Sequence, residues 1–223
     1  MRRQTNAVRT LVVGCDGSGK TTLLEGIRSV WGDTVGESTQ TPEAREFRRS
    51  THRRVVDAES INQRETLYLD LSRKALESML LIEGSDVITS DSSLVTLTSH
   101  ATMRMVIGEP HLSNQEIIEL WQESERVVGA DAPDLFVLLR AKSSTIRDRI
   151  VQRQEAGDTL EEFWGFNAPF FLDAYQKRWQ GVFQELAQAS YRVITYDTGS
   201  ISVDMCLEHY GQQRKALLLE RSL

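Results

Sequence analysis

The sequence predicts an α/β protein, a three-layer sandwich in which about five parallel strands are flanked by helices. Three observations carry that expectation. Short apolar runs alternate with longer stretches of helical periodicity along the chain, the pattern of repeated strand-helix-strand units. One run, Leu135 to Leu139, is five apolar residues in succession, which suits a strand buried on both faces of a parallel sheet. A glycine-rich turn over residues 14–19 separates the first apolar run from the first helical stretch, where a strand has to hand over to a helix.

Taken in order, the first strand is expected over 10–13 and a helix over 21–31, with Leu23, Leu24, Ile27, Val30 and Trp31 on one face. A second strand over about 33–40 is ended by Pro42, which cannot continue a ladder. Leu67, Leu71, Ala75, Met79 and Leu80 predict a helix over 59–81, and a short strand over 87–89 leads to Asp91. Ser113 and Glu116 form a capping-box pattern ahead of Ile117, Ile118 and Trp121, so a helix starts there and ends near Gly129. After the buried strand come a helix over 143–154 and a longer one marked by Phe171, Tyr175, Trp179, Val182, Phe183 and Leu186. A last strand over 192–196 and a closing helix over 203–219 complete the chain. There is no internal repeat or linker composition, so a single domain over 1–223 is expected. The polar stretch 155–162 interrupts two helical patterns and predicts a mobile lid around 143–165.

Of the 223 residues, 26 are Lys or Arg and 32 are Asp or Glu, a net charge of −6 with a pI near 5.3. Binding of nucleic acid by bulk charge is excluded. The two cysteines, Cys15 and Cys206, lack any metal-ligand spacing, so neither a disulfide framework nor a zinc site is expected. Residues 1–10 lack the apolar stretch of a signal peptide, and no segment approaches the roughly 18 apolar residues of a membrane span. The expected compartment is the cytoplasm, with no membrane partner.

Gly14-Cys15-Asp16-Gly17-Ser18-Gly19-Lys20-Thr21 fits G-x-x-x-x-G-K-[ST] and stands between a predicted strand and a predicted helix, the context that separates a P-loop from an incidental glycine-rich turn. The glycines let successive N–H groups turn inward onto phosphate oxygens, and the helix N-terminus adds its positive dipole end. Lys20 is placed to reach the β and γ phosphates, and the Thr21 hydroxyl to hold Mg²⁺. A P-loop NTPase fold follows, with ATP and Mg²⁺ expected as cofactors. A switch GTPase is disfavoured because none of the four asparagines is followed by lysine, and the chain is short for a motor.

Asp16 through Thr22 resembles the P-loop of thymidylate kinases, which read D-G-x-G-K-[ST]-T. The resemblance continues in order. Leu67 to Arg73 is similar to the family's helix segment whose arginine faces the acceptor nucleotide, and Val87 to Asp91 to its strand ending in Asp-Arg. Pro133-Asp134-Leu135, then Arg149 to Arg153 and Asp158, resemble its Pro-Asp-Leu strand and arginine-bearing lid. The resemblance implies a kinase that moves the γ-phosphoryl of ATP to a nucleoside monophosphate, with Asp16 touching the acceptor sugar and Arg73 the acceptor. It also implies homodimers, for which the 59–81 helix has apolar surface, although core burial explains the same residues. Three acceptor-side motifs depart from the family: Asp91-Ser92 replaces Asp-Arg, Gln40-Thr41-Pro42 replaces Arg-Glu-Pro, and Asp158-Thr159 replaces the lid's Asp-Arg. A cation facing an acceptor phosphate is thereby missing. The acceptor stays open between a nucleoside monophosphate, a nucleoside and a non-nucleotide metabolite, and a nucleotide-binding regulator without acceptor chemistry is the rival from another class.

The remaining candidates come from chemistry. Phosphoryl transfer is catalysed mostly by positioning and by cations on donor and acceptor oxygens. Arg149 and Arg153 stand four apart on one helical face ahead of the predicted lid; the alternative is a solvated face paired with Asp148 or Glu155. Arg45 belongs to a group of five arginines within residues 45–54 and is the nearest of them to Pro42, hence a candidate for an anionic acceptor. Asp91 ends a strand where open α/β sheets place ligands, able to hold Mg²⁺ or to take the acceptor's proton, with helix capping as its ordinary alternative. Arg73 divides between the acceptor and a pair with Glu77. Cys15 reads as variable filler, the four histidines as unassigned, and Trp164 and Phe166 as core.

Overall fold

The computed structural model describes residues 8–32, 88–89, 93–106, 108–128, 132–156 and 169–222. Among the described residues four strands form one parallel sheet: β1 (Thr10–Gly14), β2 (Ile88–Thr89), β3 (Leu135–Arg140) and β4 (Val193–Asp197), in the order β2-β1-β3-β4. Residues 10–14 of β1 pair with 135–139 of β3 in straight register, and 136–140 of β3 pair with 193–197 of β4. These are the strands expected at 10–13, 87–89, 135–139 and 192–196. The strand expected at 33–40 and the helix at 59–81 lie outside the described residues.

Six helices accompany the sheet among the described residues: α1 (Lys20–Trp31), α2 (Ser93–Val106), α3 (Asn114–Val128), α4 (Ser143–Glu155), α5 (Pro169–Gln188) and α6 (Val203–Glu220). Alternation along the strands sorts side chains into two cores. Leu11, Val13, Phe136 and Leu138 point to one face, where Leu94 and Ala101 of α2, Ile117 and Trp121 of α3, Ile146 and Ile150 of α4, and Trp179 and Phe183 of α5 close over them. Val12, Leu135, Val137 and Leu139 point to the other, against Leu23 and Ile27 of α1 and Cys206 and Tyr210 of α6. Residues 135–139 are all buried, as a strand covered on both faces requires.

On the second face α1 and α6 approach closely. A Cβ on Gly26 would lie 2.8 Å from Leu207, and one on Gly211 would lie 2.8 Å from the Trp31 ring. Tyr210 packs edge-on against Trp31, with centroids 5.4 Å apart, and its hydroxyl meets Thr10 Oγ1 at 3.0 Å. The predicted capping box of α3 is formed in both directions: Glu116 N–H donates to Ser113 Oγ at 3.2 Å, and Ser113 N–H donates to the Glu116 carboxylate at 2.7 Å. Hydrogen bonding from Ser113, its backbone N–H first and then its side chain, holds the Glu116 carboxyl below the usual carboxylate range.

Helix α2 has no counterpart among the sequence expectations. Its β-branched and hydroxyl residues favour other conformations, yet Thr98 Oγ1 donates to Leu94 O and Thr102 Oγ1 to Thr98 O, each at 2.7 Å. The buried hydroxyls are thus satisfied inside their own helix.

Candidate active site

In an open parallel sheet, ligands bind at the carboxyl ends of the strands where the connection order reverses. Here β1 has β2 on one side and β3 on the other, so the reversal falls at the end of β1, and the 14–20 turn lies there. The turn passes through positive φ at Gly14, Gly17 and Gly19. At Gly14 a side chain is excluded twice, since a Cβ would stand 2.4 Å from Leu139 O and 2.6 Å from Ser18 Oγ. At Gly17 it would stand 2.9 Å from Ile146 O, so β3 and α4 press directly on the loop.

Gly19, at φ 95°, opens α1 without a side-chain cap. By contrast, α3 has its Ser113–Glu116 box, and Ser202 Oγ accepts from Met205 N–H at the start of α6. The first amides of α1 are therefore left for a ligand, and an anion is what that end of a helix attracts. Lys20 Nζ donates to Gly14 O and Cys15 O, both at 2.9 Å, and stands 3.3 Å from Asp16 Oδ1. Its ammonium thus folds back onto the main chain of the loop that precedes it. Thr21 and Thr22 are exposed on the first turn of α1, and Asp16 is exposed on the loop. Ser18 is buried, and its Oγ has no hydrogen-bond partner.

Arg149 comes to this loop from α4. Its Nη1 donates to Gly17 O at 3.0 Å and to Thr198 Oγ1 at 3.1 Å, and its Nη2 donates to Thr198 O at 2.8 Å. The alternative of a solvated face paired with Asp148 or Glu155 does not describe this residue. Arg153, one turn further along α4, is half-buried. Helix α4 is fixed from below by Ile146 and Ile150, 0% and 1% exposed, and at its start Gln176 of α5 donates to Ser143 Oγ at 3.0 Å and accepts from Ala141 N–H at 3.2 Å. Residues 157–165, the outer part of the predicted lid, lie outside the described residues.

The candidate set thus divides. Gly14, Asp16, Gly17, Ser18, Gly19, Lys20, Thr21 and Thr22 form one continuous turn and first helical turn, and Arg149 joins them. Arg45, Arg73 and Asp91 lie outside the described residues. Cys15 is filler: burial pushes its thiol up to about 12 despite the Lys20 charge beside it, so it is no nucleophile near neutrality. Thr198 was not anticipated. The signal for it is a turn, Asp197-Thr198-Gly199-Ser200, directly after a strand at the carboxyl end of the sheet.

The residues present fit a magnesium nucleotide. An uncapped helix start, a lysine over the loop, a buried hydroxyl without a partner and an exposed Thr21 hydroxyl form a donor set for phosphate oxygens and for a metal that keeps its oxygens mostly from phosphate and water.

No protein-family model matches the chain, and no curated protein matches it. Solved structures do. Deoxyadenosine kinase from M. mycoides with bound dCTP superposes with a TM-score of 0.59 and 13% identity, covering 93% of this chain and 98% of that one. The same kinase with bound dATP gives 0.59 and 15%, covering 92% and 98%. At such identities the likeness is one of fold, and it agrees with the parallel sheet and its flanking helices: the chain has the α/β P-loop kinase fold.

Proposed function

We propose that this chain is an ATP-dependent phosphotransferase of the nucleoside-kinase type, moving the γ-phosphoryl of ATP to a nucleoside. The observation that carries the reading is the uncapped start of α1 under Lys20, joined from the side by Arg149. In this reading the loop amides take the β-phosphate and Lys20 exchanges the carbonyls of Gly14 and Cys15 for β and γ oxygens. Arg149 and Arg153 face the charge that develops on the transferred group. Thr21 and Asp91 are the residues that would hold Mg²⁺, which would supply positive charge to the phosphate oxygens. Asp91 is also the group that would accept the proton of the attacking hydroxyl, while Asp16, Arg45 and Arg73 are assigned to the acceptor.

Two observations favour a nucleoside acceptor over a nucleoside monophosphate. The similar structures are of a deoxyadenosine kinase, and Ser92 follows Asp91 where thymidylate kinases place an arginine. The monophosphate reading keeps one support of its own, the arginine group at 45–54. A panel of deoxynucleosides and their monophosphates with Mg·ATP, followed by ADP release and by transfer of labelled phosphate, decides between them. Transfer to a nucleoside is expected. Transfer to monophosphates alone would reverse the acceptor assignment, and nucleotide binding without transfer to any member would replace the enzyme by a nucleotide-binding regulator.

A further inference from the structure

We propose that Thr198 is a positioning residue that couples the phosphate loop to Arg149. The inference rests on the donor-nucleotide reading of that loop. Thr198 follows β4, and its backbone N–H donates to Arg140 O at 2.8 Å, which anchors it beside the end of β3. Its hydroxyl donates to Ser18 O at 2.8 Å, with Arg140 O further off at 3.3 Å. The same oxygen accepts from Arg149 Nη1 at 3.1 Å, and the Thr198 carbonyl accepts from Arg149 Nη2 at 2.8 Å. A hydroxyl has one proton to give and lone pairs to receive. Here the proton goes to the phosphate loop and a lone pair takes the guanidinium, so both capacities are used on two different parts of the site.

The consequence follows from peptide geometry. In a planar trans peptide the C=O of one residue and the N–H of the next point in opposite directions. Holding Ser18 O against the Thr198 hydroxyl therefore turns the Gly19 N–H away from Thr198, and holding Gly17 O against Arg149 turns the Ser18 N–H away from α4, where it donates to Cys15 O at 3.1 Å. Gly19 stands at φ 95°, and Gly17 at φ 79°; residues so free in conformation leave the orientation of their peptides to outside anchors. Thr198 thus sets the direction of a loop amide and, by the same hydroxyl, the height of the Arg149 guanidinium over the loop. Its methyl group lies 3.9 Å from a Cβ built on Gly19, an ordinary contact that valine would reproduce. The hydroxyl is the functional part.

The test is a set of variants titrated with Mg·ATP by calorimetry, with melting temperature as the check on folding. Thr198→Val should weaken binding about tenfold, the loss expected for a hydrogen bond to a charged group. Thr198→Ser should restore it, and Thr198→Val combined with Arg149→Ala should cost no more than the larger single loss, because residues acting through one network are not additive. Wild-type affinity in Thr198→Val, failure of serine to rescue, or full additivity would each overturn the coupling while leaving the kinase reading in place. Absence of nucleotide binding by the unaltered chain would overturn both. Should Thr198→Val not fold, Arg149→Lys serves instead: it keeps the charge but cannot span Gly17 O and Thr198 together. A tenfold loss there supports the coupling, and unchanged affinity overturns it.

Discussion

The phosphate-loop corner and the helical layer formed by α2, α3 and α5 lie against the same sheet and are held by different forces. At the loop, Lys20, Arg149 and Thr198 are engaged chiefly with main-chain carbonyls, and their side chains are only partly buried. Where the helical layer meets the sheet, Trp121 of α3, Phe183 of α5 and Tyr191 pack edge to face on Phe136 of β3, with Trp121 and Tyr191 5.5 and 5.4 Å from it, while Trp179 is wholly buried against Phe183. Burial of apolar area dominates stability, whereas oriented donors and cations dominate phosphoryl transfer. Changes at the corner should therefore move activity with little effect on folding, and changes in the layer should do the reverse.

The largest effect expected is on turnover. Lys20→Ala should lower it by about a hundredfold or more, the scale for removing one preorganised donor, with a melting temperature close to the parent's. Turnover near the parent's would erase the distinction between the two regions. Next comes Trp179→Ala, which should cost about 3–5 kcal/mol in urea unfolding while sparing turnover per folded molecule. A loss below about 1 kcal/mol would mean that the layer is not what holds the fold.

Ser113→Ala removes a cap and should cost about 1 kcal/mol. Its partner Glu116 gives this a pH dependence. Because hydrogen bonds from Ser113 lower its carboxyl in the folded state, the contribution is present above the unfolded value and is lost as pH falls through the folded one. The gap in melting temperature between the parent and Glu116→Ala should accordingly narrow on acidification; a gap that widens contradicts the assigned hydrogen bonds. The smallest effect belongs to the thiols. Burial raises both Cys15 and Cys206, so a thiol reagent at pH 8 should modify neither in the native protein and both after unfolding. Labelling of Cys15 in the native state would show that the loop is far more open than its contacts with β3 and α4 indicate.

Much of the fold was legible because its signals are local. An unbroken apolar run marks β3, a capping box marks the start of α3, and glycines around a lysine mark the turn after β1. Helix α2 was not legible. Its Ser, Thr and Val residues suppress helical propensity, and it is held by hydroxyls returned to its own carbonyls and by Leu94 and Ala101 against the core, a tertiary override of local preference. At the site, the spacing of Arg149 and Arg153 pointed to α4, whose Arg149 meets the loop at Gly17 O, while the partners of Arg149 could not be read. The bond from Thr198 to Ser18 spans 180 positions, and only the register of β1, β3 and β4 brings those two ends together.

Calorimetric titration of the purified chain with Mg·ATP, in parallel with Lys20→Ala, tests the phosphate-loop assignment most directly. Saturable one-to-one uptake by the parent and its loss in the variant are the predicted results. No heat from the parent, or equal affinity in both proteins, would contradict the account.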